Sequence, residues 1–193
     1  MILDAGMRVF AERGYERASM REIAREAGVT TPVIYDHFPS KRELYVALLE
    51  EKEAELRAHQ DRERGLEASP ELARALIDDF FSWVEEQPDA WCMLFRDTPT
   101  DPVMLTAQRR AQQRSLDQIK AFVALGLKPR AAPSPGGDTI QHLVARSVYA
   151  VNNELASWWL EHPEVSREEM VGLAHNLLWS GLSGFRDSRR WSG

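Results

Sequence analysis

The segment Thr30–His37 places polar and small apolar side chains together on a very short stretch of chain. Threonine hydroxyls donate and accept hydrogen bonds, and a valine methyl group can contact the methyl group of thymine. The phenol of Tyr35 and the imidazole of His37 carry polar groups farther out, where they can reach phosphate oxygens. The sequence shows no pairing of nucleophile and base, no metal-ligand spacing and no glycine-rich phosphate loop. We therefore predict a binding surface without enzymatic activity, cofactor or metal.

Two short helices must position this segment. The first begins with the capping-box pattern Ser19–Glu22 and ends at Gly28. The second begins at Pro32, with Thr31 or Thr30 as its cap, and ends before Pro39. Two helices joined by a tight glycine turn are typical of a helix-turn-helix, whose second helix offers its first turn to the major groove of DNA.

Within this arrangement, each polar side chain has a predicted partner. Thr30, Thr31 and Val33 are short enough to contact base edges from a helix that lies close to the bases. Tyr35 and His37 would contact the DNA backbone, although a purely structural role for both is the alternative. Thr31 has the alternative role of helix cap, and the whole three-helix segment that of a protein-docking module.

The sequence from Val9 to Leu49 resembles the N-terminal domain of the tetracycline-repressor (TetR) family of bacterial transcription regulators. The resemblance rests on "FAERGY", "IAREAGV" and "YDHFPSKREL" at the family's intervals and covers residues 2–49. It implies an all-helical homodimer with a DNA-binding head and a variable ligand-binding body. By position it also implies these DNA-binding residues: Ser19, Arg21, Thr30, Thr31, Pro32, Val33, Tyr35, His37 and Lys41.

The rest of the chain also has helical periodicity, which predicts an all-α fold. The predicted division places a helix-turn-helix domain at residues 1–46, called the head, before a helical ligand-binding and dimerisation domain at residues 47–193, called the body. Further capping boxes at Ser40–Glu43 and Ser166–Glu169 predict the starts of the fourth and last helices. A proline- and glycine-rich loop interrupts the body at residues 128–138.

The charge distribution agrees with a DNA-binding head. The 193-residue chain has a net charge of −6, but residues 1–46 carry seven basic and seven acidic side chains, so the whole excess lies in the body. The single cysteine, Cys92, excludes an intrachain disulfide and favours the reducing cytoplasm. No apolar run reaches the length of a membrane span, and we expect no membrane partner.

The body offers candidate contacts for a small-molecule effector of unknown identity. Aromatic residues at helical spacing usually form the core, so each has a structural alternative. Glu154 lies mid-helix among apolar residues and could bind a cation, or could be a solvated or dimer-face charge. An acidic, aromatic body is compatible with lipophilic cations, although neutral and anionic ligands remain possible. The candidate residues are Trp83, Trp91, Met93, Phe95, Asn153, Glu154 and Trp158.

The last two helices are predicted to form a homodimer interface, because small residues permit close helix approach. The candidate residues are Leu178, Gly181, Leu182 and Phe185. The resemblance implies a repressor that binds a palindromic double-stranded operator as a dimer and is released by a small molecule. The alternative is an activator or a protein-docking adaptor on the same fold, which Asp36 and the acidic body favour slightly.

Overall fold

A computed structural model describes residues 1–61, 69–126 and 137–186, with side chains for residues 1–58, 69–125 and 139–180. Every regular element within these ranges is helical, which confirms the predicted all-α class. The helices are α1 (Ile2–Arg17), α2 (Met20–Glu26), α3 (Thr31–His37), α4 (Lys41–Asp61), α5 (Pro70–Glu86), α6 (Pro88–Trp91), α7 (Pro102–Gly126), α8 (Gly137–Leu160) and α9 (Arg167–Arg186). A π-helical turn, Cys92–Arg96, follows α6.

Serine caps define several helix starts, as predicted. The Ser19 hydroxyl accepts a hydrogen bond from the Glu22 amide, and the Glu22 carboxylate accepts one from the Ser19 amide. Ser166 and Glu169 form the same reciprocal pair before α9. At the start of α4, the Ser40 hydroxyl accepts from the Glu43 amide at 3.2 Å. These caps satisfy amides that have no partner inside their own helix.

Two local features interrupt the regular α-helices. Helix α1 breaks at Gly14 (φ 73°, ψ 160°), then resumes and ends at Arg17. The segment after α5 is divided into α6 and the π-helical turn, which closes with a hydrogen bond from the Asp97 amide to the Cys92 carbonyl at 2.8 Å.

The described chain forms two compact units. The first contains Met1–Glu55 and Asp89–Gln112, and the second contains the described residues of Leu56–Pro88 and of the chain from Gln113 onward. The divisions fall inside α4, α6 and α7, so each of these three helices contributes residues to both units. The boundary at residue 46 stays a prediction about where the DNA-binding domain ends.

Helices α1 to α4 share one apolar core in the first unit. Ile23, Ile34, Leu44 and Leu48 are completely buried there. Gly6 lets α1 approach α4 closely, because a Cβ at Gly6 would lie 2.7 Å from Leu44 Cδ2. The short helices α2 and α3 are therefore held by packing and not by their own length, since helices this short are marginal alone.

The second unit is built mainly by α5 packed against α9, with α8 beside them. Phe81 of α5 meets Trp159 of α8 edge-on, with ring centroids 5.6 Å apart. The Trp159 indole N–H donates to the Val165 carbonyl at 2.7 Å and so ties α8 to the turn before α9. Among the described residues, none of the helices has a stretch both long and apolar enough to cross a bilayer.

Gly28 is expected to be intolerant of a side chain. It joins α2 to α3 with φ +67°, a conformation that costs other residues roughly 1–2 kcal/mol, although no atom lies within 4 Å of the added Cβ. Gly28→Ala should therefore lower the free energy of unfolding by about 1 kcal/mol. Gly172→Ala, inside α9, is the matched control and should be neutral or stabilising. Equal effects in denaturant titrations would contradict the proposed backbone strain.

Candidate nucleic-acid interface

Helix α3 is anchored by one face and exposed on the other. Ile34 is completely buried in the core of the first unit, and its neighbours Val33 and Tyr35 are 37% and 48% exposed. Pro32 and His37 are also exposed. A seven-residue helix thus keeps one apolar contact inward and presents most of its predicted DNA-binding side chains to solvent.

The start of α3 leaves one hydroxyl group available. Thr30 occupies the N-cap position, but its side chain makes no capping hydrogen bond and is exposed. Thr31 is the first helical residue and is half-buried. Neither threonine side chain therefore fills the capping role considered from the sequence, and the Thr30 hydroxyl is free to bond to a base edge.

The two candidate residues of α2 differ in their freedom. Ser19 uses its hydroxyl twice, accepting from the Glu22 amide at 3.2 Å and lying 2.9 Å from the Glu22 carboxylate. Arg21 is exposed and has no partner among the described residues. Arg21 is therefore the stronger candidate for a phosphate or groove contact, since a guanidinium offers five donors.

Lys41 makes contacts that the sequence did not reveal. Its ammonium donates hydrogen bonds to the backbone carbonyls of Tyr15 at 2.6 Å, Ala18 at 2.9 Å and Glu16 at 3.3 Å. It also lies 4.3 Å from the centroid of the Tyr15 ring. The ammonium therefore holds the end of α1 to the start of α4, and its three donors are occupied. A phosphate at this point would meet the backbone amides at the start of α4.

Asp36 stands out as an unfavourable charge on α3. The arginine nearest in sequence after it, Arg42, lies 3.5 Å from Asp101 and is paired there. Asp36 is exposed and forms no ion pair within the described residues. An exposed carboxylate close to a DNA backbone would repel the phosphates.

Asp36→Asn is expected to strengthen DNA binding by about twofold to fivefold, the range for one exposed charge interaction. The gain should shrink as salt is added, because salt screens exposed charges. Glu164→Gln, an exposed carboxylate between α8 and α9, is the matched control and should leave affinity unchanged. Dissociation constants at low and high salt test this prediction, and equal affinity of Asp36→Asn and the unaltered protein at low salt would contradict it.

The seven candidate effector residues are divided between the two units. Trp83 is buried in the second unit, whereas Trp91 and Met93 are buried and Phe95 half-buried in the first. On α8, Glu154 and Trp158 are on the surface, where Trp158 stacks on His162 with centroids 3.8 Å apart. Both side chains are exposed in the single chain, and their role as effector contacts stays a prediction.

Two buried polar groups in the second unit lack partners and were not singled out as a pair from the sequence. The Trp83 indole N–H and the Asn152 side-chain carbonyl are both buried without a hydrogen-bond partner. Asn153, which the sequence favoured, donates to the Tyr149 carbonyl at 2.9 Å. Unsatisfied buried donors and acceptors are rare in native proteins, so Trp83 and Asn152 are candidate effector contacts. Among the described residues, no acidic, histidine or cysteine group is arranged to hold a metal ion.

The exposed leucine Leu177 of α9 lies one position before the predicted interface residue Leu178. Leu178 is buried within the chain, whereas Leu173 and Leu177 are 53% and 55% exposed and lie four residues apart on one side of α9. On α8, Leu143 is exposed as well. The side chains of Gly181, Leu182 and Phe185 lie outside the described residues.

Residues 2–48 match the model of the bacterial regulatory proteins, tetR family. Over 187 residues the chain is 28% identical to the HTH-type transcriptional activator FasR of Mycolicibacterium smegmatis, covering 94% of this chain and 81% of FasR. The fatty acid degradation regulator FadR of Bacillus halodurans has the same fold, with a TM-score of 0.80, 19% identity and 94% of each chain covered. FadR of Bacillus subtilis, solved in complex with stearoyl-CoA, gives a TM-score of 0.75 at 16% identity over 98% of each chain.

The N-terminal segment is similar to the TetR family of bacterial transcription regulators, as its motifs predicted. The similarity to FasR extends beyond the helix-turn-helix over nearly the whole chain. The two FadR structures, at below 25% identity, establish the shared fold.

Proposed function

We propose that this protein is a ligand-responsive transcription regulator that binds double-stranded DNA as a homodimer, and that a small molecule releases it. The observation that carries the proposal is the exposed edge of α3, held in place by the buried side chain of Ile34. The match of residues 2–48 to a family of bacterial regulatory proteins also supports the proposal. We assign the protein no enzymatic activity, and we place it in the cytoplasm, where bacterial DNA is found.

In the proposed complex, α3 lies in the major groove. Thr30, Thr31, Pro32 and Val33 face the base edges, with hydroxyls for hydrogen bonds and a valine for a thymine methyl group. Tyr35, His37 and Arg21 contact phosphates on either side and fix the position of the helix. Ser19 and Lys41 support this surface from within the protein, through the cap of α2 and the carbonyls at the end of α1.

The proposed dimer uses α8 and α9. Leu143, Leu173 and Leu177 leave an apolar surface that a second copy would cover. Twofold symmetry would place two α3 helices in successive major grooves about 34–36 Å apart, which predicts a nearly palindromic operator.

We propose a long-chain acyl thioester as the effector class. The proposal is supported by the similarity to FasR and by the fold shared with a FadR bound to stearoyl-CoA. The buried unpaired groups would supply a donor, the Trp83 indole N–H, for the thioester carbonyl and an acceptor, the Asn152 side-chain carbonyl, for an amide N–H of the coenzyme A arm. Stearoyl-CoA should raise the thermal midpoint in proportion to ln(1 + [L]/Kd), and acetyl-CoA should not.

We propose that the protein is a repressor. Effector and DNA then weaken each other's binding through a reciprocal coupling. An activator is the second candidate, because the full-length relative FasR is named as one. Transcription in vitro from a template carrying the operator distinguishes them. Added protein lowers transcript yield if it is a repressor and raises it if it is an activator.

DNA binding itself is tested with an operator selected from random duplexes. The dissociation constant should rise steeply with salt, with a logarithmic slope of about −0.9 for each phosphate contacted. Arg21→Ala should reduce that slope by about one, and Tyr35→Phe should weaken binding without removing a charge contact. A protein that ignores every duplex at low salt would overturn the proposal.

A further inference from the structure

A cleft of about 390 Å³ opens inside the first unit, between α1, α4 and residues 89–104. Its volume lies within the range of small-molecule sites. The rings of Phe10, Tyr15 and Tyr45 form an aromatic cluster at the cleft, with centroids 5.3–5.7 Å apart. Met93 and Cys92 line the cleft as well.

Tyr45 carries an unused polar group at this cleft. The residue is only 5% exposed, and its hydroxyl has no hydrogen-bond partner among the described residues. Burial first, and then the nearby negative charge of Asp97, raise the pKa of Tyr45 to about 12. Asp97 also lines the cleft, so a ligand in the cleft could contact both the phenol and this carboxylate. The hydroxyl can therefore donate a hydrogen bond to a ligand in the cleft or accept one from it.

The charges around the cleft favour a cation. The lining has four carboxylates, Glu16, Asp89, Asp97 and Asp101, and three arginines, Arg13, Arg17 and Arg96. Arg13 is paired with Glu22, Arg96 with Asp97 and Asp101 with Arg42, whereas Arg17 donates to the neutral Arg13 carbonyl. The lining therefore has one more acidic than basic side chain.

Among the described residues, Glu16 and Asp89 have no ion-pair partner. The pKa of Tyr15 is raised by burial first and then by the charges of Asp101 and Glu16, while Arg42 opposes the shift. Aromatic faces and carboxylates together attract organic ammonium groups.

We infer that this cleft is a second small-molecule site, which binds an arylalkyl amine in its ammonium form. The aryl group lies against the aromatic cluster, and the ammonium donates to the Tyr45 hydroxyl and the Asp97 carboxylate. Because Tyr15 and Glu16 also supply carbonyls to Lys41, the amine contacts the residues that join α1 to α4. The inference depends neither on DNA binding nor on the proposed acyl effector.

Cys92 provides a position-specific test on the full-length protein. It is the only cysteine, it is half-buried and it lines the cleft. Burial raises the pKa of its thiol, so alkylation by iodoacetamide should be followed at mildly alkaline pH. Millimolar 2-phenylethylammonium should slow alkylation in a saturable manner. The neutral 2-phenylethanol and the anionic phenylacetate, of similar size, should protect far less.

Two substitutions test the assigned contacts. Tyr45→Phe should weaken amine binding by about twofold to tenfold, the effect of one hydrogen bond, while the thermal midpoint holds or rises. Asp97→Asn should weaken it by about twofold to fivefold, since the carboxylate is exposed. Glu50→Gln, an exposed carboxylate of α4 outside the cleft, is the matched control and should bind normally. Absence of protection, equal protection by the three compounds, or unchanged binding by both variants would overturn the inference.

Discussion

Replacing Leu177 with glutamate is expected to dissociate the proposed dimer and to lower operator affinity by at least about 100-fold. Leu177 is 55% exposed on α9, four residues after the equally exposed Leu173. In a twofold interface each substitution occurs twice, and an unpaired buried carboxylate costs roughly 3–5 kcal/mol. A monomer would bind through a single α3 and lose the contribution of the second half-site.

The matched control for this substitution is Asn176→Glu. It adds the same charge to the neighbouring exposed position of α9, about 100° around the helix. Sedimentation equilibrium and operator titration of both variants separate an interface effect from a general charge effect. If Leu177→Glu sediments as a dimer with unchanged operator affinity, this surface of α9 is not the interface.

Lys41→Met is expected to lower the free energy of unfolding by about 2 kcal/mol, as for hydrogen bonds from a charged donor. The ammonium of Lys41 is the shared donor for three carbonyls at the end of α1, and removing it leaves those acceptors with fewer partners. DNA binding should weaken with it, because α2 and α3 follow directly from that part of α1.

The salt dependence distinguishes a structural Lys41 from a phosphate-binding one. If Lys41 acts by holding α1 to α4, the remaining DNA binding of Lys41→Met keeps the slope of the unaltered protein. A direct phosphate contact would reduce the slope by about one. Arg42→Met removes the same charge from the adjacent position, where the guanidinium is half-exposed and 3.5 Å from Asp101, and should change stability by no more than about 0.5 kcal/mol.

Features determined by neighbouring residues could be predicted from the sequence. The caps at Ser19 and Ser166, the turn at Gly28 and the inward direction of Ile34 all depend on residues within one or two helical turns. Helical periodicity determines the all-α class for the same reason. The family motifs lie in this locally determined part of the chain.

Features that depend on distant residues could not be predicted in this way. The Lys41 ammonium meets carbonyls 23 to 26 positions earlier, and Arg42 reaches Asp101, 59 positions later. The direction of a side chain around a helix is equally sensitive, since one residue corresponds to about 100°. For this reason Leu177 is exposed where Leu178 was expected, and Asn152 is buried where Asn153 was favoured.

The cleft of the first unit could not be predicted from the sequence for the same reason. Its walls come from α1, from α4 and from residues 89–104, and no sequence pattern joins these segments. From the sequence, Tyr45 cannot be distinguished from an ordinary core residue of α4. Only the structure shows that its hydroxyl has no hydrogen-bond partner among the described residues and could contact a ligand.

The reciprocal serine–glutamate caps also make the stability of the protein depend on pH in the acidic range. Hydrogen bonds from Ser19 and Ser166 lower the pKa values of Glu22 and Glu169. The stabilisation is therefore complete above the unfolded glutamate value of about 4.3 and disappears as pH falls through the lower folded values. The starts of α2 and α9 would therefore lose their caps in the same acidic range, whereas both caps stay intact at neutral and mildly acidic pH.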